Sequence, residues 1–255
     1  MLAPERQKKI VQLLREAGTV YVSDLSQRFD VSEETIRRDL DRLEREGVAH
    51  RIHGGAISFE HTRIEPSYRA KLHLNTEQKQ TIAAEAAKMV EEGDTVILDM
   101  STTTVFLAKE LRRKRDITVV TNFPLVINEF ADASNVTVVS TGGTLNRPGF
   151  CLVGHETEEF VRGLHVDKTF LSTKAISVEH GLTEGDLANI AVKKLMIAAA
   201  KQVILLADSS KFGSVAFAQL APLSAIDVIV TDDRISPEQV TEIEELGIKV
   251  IVAGT

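Results

Sequence analysis

The sequence predicts an α/β chain in two parts, a small helical N-terminal domain followed by a larger Rossmann-like domain on a mainly parallel sheet. Three observations carry that prediction. At 255 residues the chain is long enough for one small domain and one of ordinary α/β size. In its first segment apolar residues recur at three- and four-residue spacing, the period of amphipathic helices. Beyond Asp94, short apolar runs alternate with helical stretches, the pattern of a parallel sheet covered on both faces by helices.

The N-terminal elements follow in order. Ile10, Val11, Leu13 and Leu14 form an amphipathic stretch after Pro4, a residue suited to a first helical turn, and Gly18 interrupts it. Val20-Tyr21-Val22 reads as a short extended piece, and Ser23 as the cap of a second helix with Leu25 and Phe29 inward. Val31-Ser32 makes the tight turn into a third helix, whose start Ser32 caps and whose buried face is Ile36, Leu40 and Leu43. Gly47 is placed to end it. The run Val48 to Ala56 then alternates like a small hairpin carrying Arg and His. This order is that of a winged helix-turn-helix over residues 1–57.

In such a unit the third helix is the reader of DNA. Ser32, Thr35, Arg37 and Arg38 lie off the apolar face, near the helix start, where hydroxyl and guanidinium groups reach phosphates and base edges. Arg51 and His53 on the hairpin join them as candidate contacts to double-stranded operator DNA. Charge alone gives no support, because residues 1–57 hold ten Lys/Arg and ten Asp/Glu. A positive footprint then requires placement, with Arg37, Arg38, His50, Arg51 and His53 on one side and the acids elsewhere. The competing reading is a solvated helix face of mixed charge; the order of elements favours DNA.

Composition bounds the partners. A net charge of -7 speaks against polyanion binding over the whole surface, so a nucleic-acid contact must be local. The single cysteine, Cys151, excludes an internal disulfide and a cysteine-rich zinc site, and reads as a small buried apolar group. No apolar run approaches the length of a membrane span and the N-terminus lacks a signal-peptide core, so a cytoplasmic protein without membrane contact is expected. No metal and no cofactor is expected.

Residues 58–75, with Pro66, several His and Arg and no sustained periodicity, read as a linker. From Thr76 a helix runs with Ile82, Ala83, Ala86, Ala87, Met89 and Val90 on its apolar face until Gly93-Asp94, opening a domain over 76–255. Strands are expected at Thr95–Leu98, Ile117–Val120, Val136–Val139, Thr169–Leu171, Val203–Leu206, Val228–Val230 and Val250–Val252. Ligands of such sheets bind beyond the carboxyl ends of the strands, and here those ends are polar. The first leads into Asp99-Met100-Ser101-Thr102-Thr103-Thr104 before a helix expected near Val105; hydroxyls and free N–H groups at a helix start favour an anion. Simple capping by one hydroxyl is the plainer reading, but it does not require a row of four. Asn122, Gly142-Gly143 and the run Asp208 to Gly213 follow other strands. Lys193, Lys194 or Lys211 is available as a cation, while Asp99 and Asp208 would accept from hydroxyls or position a lysine. The set suits a small phosphorylated polyol or sugar.

These residues resemble the DeoR family of bacterial transcriptional regulators. Ser32 to Leu40 with Arg51-Ile52-His53-Gly54-Gly55-Ala56 is similar to its DNA-binding signature. Leu98-Asp99, Thr102-Thr103-Thr104, Thr121-Asn122, Thr141-Gly142-Gly143 and above all Asp208-Ser209-Ser210-Lys211-Phe212-Gly213 are similar to its effector domain. The resemblance implies an effector domain related in fold to ribose-5-phosphate isomerase and glucosamine-6-phosphate deaminase, in a repressor of sugar or polyol catabolism that senses a phosphorylated intermediate. A homodimer or homotetramer reading repeated half-sites is expected. Three departures stand out: Ser101 replaces a glycine, Phe170 to Ala175 replaces a glycine-bearing stretch and brings in Lys174, and Asn189 stands where many members have Glu. The rival is a sugar-phosphate isomerase or deaminase carrying a DNA-binding module. Without His at the strand ends, and with Asn189 unable to act as a base, no acid–base pair is evident and a non-enzyme is expected.

Overall fold

The computed structural model describes residues 2–45, 48–58 and 68–254. Gly47 and residues 59–67 of the expected linker, Pro66 included, lie outside the described residues. The chain divides into two compact units, 1–76 and 77–255.

In the first unit α1 (Ala3–Ala17) starts on Pro4 and stops at Gly18, whose N–H donates to the Leu14 carbonyl at 2.9 Å. The strand β1 (Thr19–Tyr21) leads directly into α2 (Val22–Phe29). That helix has no side-chain cap. Ser23 sits inside its first turn and donates to Asp24 Oδ1 at 3.1 Å, so the expected Ser23 cap does not form and the cap position falls two residues earlier, on Tyr21. A short turn enters α3 (Glu33–Arg45), where the Thr35 N–H donates to Ser32 Oγ at 3.2 Å as a helix cap should. Ile10, Leu14, Leu25, Phe29, Ile36, Leu40 and Leu43 close one core, as their spacing predicts. Against it lie β2 (Ala49–Ile52) and β3 (Gly55–Ser58), an antiparallel wing whose inner strand also pairs with β1. Gly55 is required there: a Cβ would come within 2.1 Å of the Val20 carbonyl oxygen. The segment read as structureless carries α4 (Tyr68–His73), a helix of six residues, too short for its period to show in sequence.

The second unit opens with α5 (Thr76–Ala87), which ends before Met89; Val90 remains buried in the turns that follow. Then come β4 (Thr95–Leu98), α6 (Thr102–Leu111), β5 (Ile117–Thr121), α7 (Pro124–Glu129) and β6 (Val136–Ser140). A hairpin of β7 (Thr144–Asn146) and β8 (Cys151–Val153) precedes α8 (His155–Arg162) and β9 (Val166–Leu171). After β10 (Ala175–Ser177) and β11 (Gly181–Glu184), the chain continues through α9 (Leu187–Ala199), β12 (Ala200–Leu206), β13 (Ala218–Ala221), β14 (Val228–Asp232), α10 (Pro237–Glu244) and β15 (Lys249–Ala253).

Each of the seven predicted apolar runs is a strand of one parallel sheet, in the order β15-β14-β12-β9-β4-β5-β6. Counted from β4 the order reverses between β4 and β9. That is the doubly wound switch point, where the loops after the two strands diverge and leave a crevice. A second, antiparallel sheet of β10-β11-β13 and the β7–β8 hairpin were not expected.

Candidate functional site

The exposed side of α3 carries its charges in pairs. Arg37 donates to Glu33 Oε2 at 2.6 Å and Arg38 to Glu34 Oε1 at 3.2 Å, each one turn apart. The acids are therefore beside the arginines, contrary to the expected segregation. Glu33 and Glu34 occupy the first turn, where the helix dipole favours negative charge. Such exposed pairs are weak, about a few tenths of a kcal/mol. Ser32 Oγ and Thr35 Oγ1 are 2.9 Å apart beside them. His53 is exposed at the wing turn. Arg51 instead turns back, with Nε 3.3 Å from Asp41 Oδ1, while its N–H donates to Glu44 Oε1 at 2.7 Å. The signature from Arg51 to Ala56 is thus largely architectural: Gly54 and Gly55 shape the turn and Ala56 fills the core.

In the second unit the switch point gathers Asp99, Ser172 and Lys193. Asp99, just past β4 and fully buried, accepts at Oδ2 from the Ser172 N–H past β9 at 2.9 Å and from Lys193 Nζ of α9 at 3.1 Å. Lys193 also donates to the Ser172 carbonyl and to Glu184 Oε1, both at 2.6 Å. An ammonium has three N–H groups, so Lys193 is saturated and offers nothing to a phosphate. Burial works against its charge, but Glu184 and Asp99 outweigh it and hold the ammonium above the ordinary lysine range. For Asp99, burial pushes the carboxyl up against the opposing pull of Lys193.

Around this pair stand further polar groups. Asn189, one turn before Lys193 on α9, is buried with Nδ2 3.8 Å from Met100 Sδ. Asn122, past β5, donates its side-chain N–H to the Leu152 carbonyl at 2.9 Å and accepts the Leu152 N–H on its main-chain carbonyl at 2.8 Å, fastening the β7–β8 hairpin. Asn146 donates to Asp186 Oδ2 at 2.7 Å, fastening the same hairpin to the cap of α9. Cys151 lies buried in this hairpin, and burial pushes its thiol up to about 12. Glu184 was legible only as part of Thr183-Glu184-Gly185-Asp186, an acidic run between a strand and a helix. Glu184 also gives the cluster a carboxylate–lysine pair, in which Lys193 is held charged.

The threonine row resolves differently from the expectation. Helix α6 begins at Thr102, not near Val105, with Ser101 as its cap accepting the Thr104 N–H at 3.0 Å. At φ -141° Ser101 is extended and no glycine is needed there. Thr104 Oγ1 is spent on the Asp99 carbonyl at 2.8 Å. Thr102 and Thr103 stay at the helix start, where first-turn N–H groups lack intrahelical partners.

The remaining predicted residues divide. Gly142 and Gly143 both have positive φ, but a Cβ on Gly143 would meet Thr157 Oγ1 at 2.0 Å, so Gly143 serves the packing of α8; Gly142 faces open space. Asp208 Oδ1 accepts from the N–H and the hydroxyl of Ser210, while Asp232 takes the N–H and hydroxyl of Ser209 at 2.7 and 3.0 Å. Gly213 donates to the Ile176 carbonyl at 2.9 Å. The run from Asp208 to Gly213 therefore ties β12 to β14 and β10, with Lys211 within it. Lys174 is exposed beyond β9. Among the described residues no group of His, Cys, Asp and Glu is arranged to hold a metal ion, and no helix is long and apolar enough to cross a membrane.

Residues 6–62 match the DeoR-like helix-turn-helix domain and residues 74–233 the DeoR C terminal sensor domain. The HTH-type transcriptional regulator YulB of Bacillus subtilis, itself uncharacterized, is 40% identical over 98% of this chain and 96% of its own. The HTH-type transcriptional regulator GlpR of Haloferax volcanii is 38% identical over 98% of each chain. The transcriptional repressor AccR of Agrobacterium fabrum is 34% identical over 98% of this chain and 97% of its own. Among solved structures, ribose 5-phosphate isomerase A from Methanocaldococcus jannaschii aligns over 54% of this chain and 55% of that one at a TM-score of 0.40 and 16% identity. That likeness is too distant to carry chemistry to this chain. Two family domains in series and relatives matched from end to end agree: the chain belongs to the DeoR family of transcriptional regulators.

Proposed function

We propose that the protein is a repressor of a sugar or polyol catabolic operon, released from its operator when a phosphorylated intermediate binds the second unit. The observation that carries the reading is the joining, in one chain, of an arginine-bearing third helix in a winged fold to a parallel sheet with a buried polar cluster at its switch point. Residues 1–57 read the DNA, residues 58–75 connect, and residues 76–255 sense. Ser32, Thr35, Arg37 and Arg38 meet the major groove with His53 on the wing; Arg51 contacts DNA only on leaving Asp41. Two or four copies of the chain read repeated half-sites, in the cytoplasm.

The effector's phosphate lies at the start of α6, on the N–H and hydroxyl groups of Thr102 and Thr103, with Gly142, Lys174 and Lys211 at the rim. Lys193 takes no part in holding it. Binding shifts DNA affinity by as much as the effector prefers one arrangement of the chain over the other. Helix α5, which runs into β4 and so toward Asp99, is the path offered for that preference. A thermal-shift screen over phosphorylated sugars and polyols tests the sensing half, because a ligand of the native state raises the melting temperature with its concentration. A hit whose effect Thr103→Ala abolishes supports the reading; a full panel without a hit sinks it.

A further inference from the structure

Three buried oxygens at the carboxyl end of the sheet, on and beside the switch point, have no donor among the described residues: Asp99 Oδ1, Asn122 Oδ1 and Asn189 Oδ1. Their residues are at most 2% exposed. They lie on neighbouring elements. Asp99 and Asn122 follow adjacent parallel strands with Leu98 in register with Thr121, and Lys193, which touches Asp99, is one turn along α9 from Asn189, which touches Met100. An unpaired buried acceptor destabilises the fold, so three on neighbouring elements mark a site whose donors come from outside the chain.

The chemistry of those donors follows from what surrounds them. The cluster holds the carboxylates of Asp99 and Glu184 against the single ammonium of Lys193, whose N–H groups are all taken. A phosphate here brings only acceptors and negative charge against acceptors and a surplus carboxylate. Hydroxyl groups bring the missing protons and no charge.

We infer that Asp99, Asn122 and Asn189 bind the hydroxyl-bearing end of the effector, which enters polyol end first and leaves its phosphate outside the cluster. The inference deepens the sensing role proposed above and rests on it for the phosphate end only. The β7–β8 hairpin, fastened by Asn122 to Leu152 and by Asn146 to Asp186, places Gly149 against Met100 and is the element expected to part to admit this end.

The test is a thermal-shift titration of the full chain with free erythritol and glucitol in one arm and inorganic phosphate in the other. Wild type is compared with Asn189→Leu and with the milder Asn189→Ser, which keeps the measurement available if the first variant does not fold. The alditols should give a saturable shift in wild type, weaker in apparent affinity by about threefold to tenfold in the variants, as loss of one hydrogen bond implies. The linear solute effect is common to all three proteins and subtracts. Phosphate should act alike on all three. An alditol response equal in wild type and variants, including none at all, overturns the inference, as does a phosphate response that the variants lose. A merely structural Asn189 would lower the melting temperature without changing alditol affinity, which is the first of those results. If phosphate shifts none of the proteins, the phosphorylated-effector reading fails while the alditol arm still decides this one.

Discussion

Arg6 Nε lies 2.5 Å from Asp39 Oδ2, and both residues are buried, so an ion pair joins α1 to the inner side of α3. Gln7 Nε2 completes it at 2.8 Å from Oδ1. One acid and one base of the balanced N-terminal charge are thereby withdrawn from the surface. Removing one partner of a buried pair strands the other. We expect Asp39→Ala to destabilise the first unit by about 3–5 kcal/mol, and Asp39→Asn, which keeps an acceptor, to cost less. Both tyrosines, Tyr21 and Tyr68, belong to this unit and the chain has no tryptophan, so tyrosine fluorescence in a urea titration follows it selectively.

Arg37→Ala and Arg38→Ala should leave stability within roughly 0.5 kcal/mol, since each loses only an exposed i,i+4 pair. Operator affinity should fall strongly in both. A phosphate-contacting arginine lowers affinity for every sequence and reduces the salt slope by about one, whereas a base-reading one relaxes a single position. Glu33→Gln and Glu34→Gln should strengthen binding, because they free the arginines. Anisotropy titrations at matched salt distinguish these outcomes, and operator binding unchanged in both arginine variants would remove α3 from the interface.

Gly142 and Gly143 look equivalent in sequence and are not. Gly143→Ala must displace Thr157 or α8, which the hydroxyl bond from Thr157 to the Gly142 carbonyl holds at 2.6 Å. Gly142→Ala meets nothing within 4 Å and is strained only by its φ of +67°, at about 1–2 kcal/mol. Thermal melts should therefore rank Gly143→Ala well below Gly142→Ala.

That contrast shows where the sequence was legible. Inner strands of the large sheet such as Thr95–Leu98 were readable because a strand buried on both faces is a continuous apolar run, and the half-exposed edge strands Val136–Ser140 and Lys249–Ala253 were readable through their runs of valine and isoleucine. Strands such as Ala175–Ser177 and Thr144–Asn146 are three residues long and partly polar, so no period announces them. The polar strand ends were readable as residue types at the carboxyl edge of the sheet. Their roles did not follow, because identity does not tell whether a hydroxyl or a lysine is already spent: Lys193 has its partners in Glu184 and Ser172, and Ser209 in Asp232, each far off in sequence or across an element.

Cys151 gives a pH signature. In the unfolded chain its thiol ionises at the ordinary value of 9.0, whereas in the fold burial holds it to about 12. Between those values the unfolded state binds fewer protons, so stability falls as pH rises, by up to about 1.4 kcal/mol per unit; below the window the thiol contributes no slope. Cys151→Ala should flatten that part of the stability curve. The same burial makes native Cys151 slow toward iodoacetamide at pH 8, and an effector that parts the β7–β8 hairpin should change that rate.

The most direct test of the whole account is the affinity of the full chain for its operator, measured by anisotropy at fixed salt with and without each member of a phosphorylated sugar and polyol panel. At least one compound should weaken binding tenfold or more in wild type and fail to do so in Thr103→Ala with its DNA affinity intact. Operator affinity unmoved by every compound, or moved equally in Thr103→Ala, would contradict it.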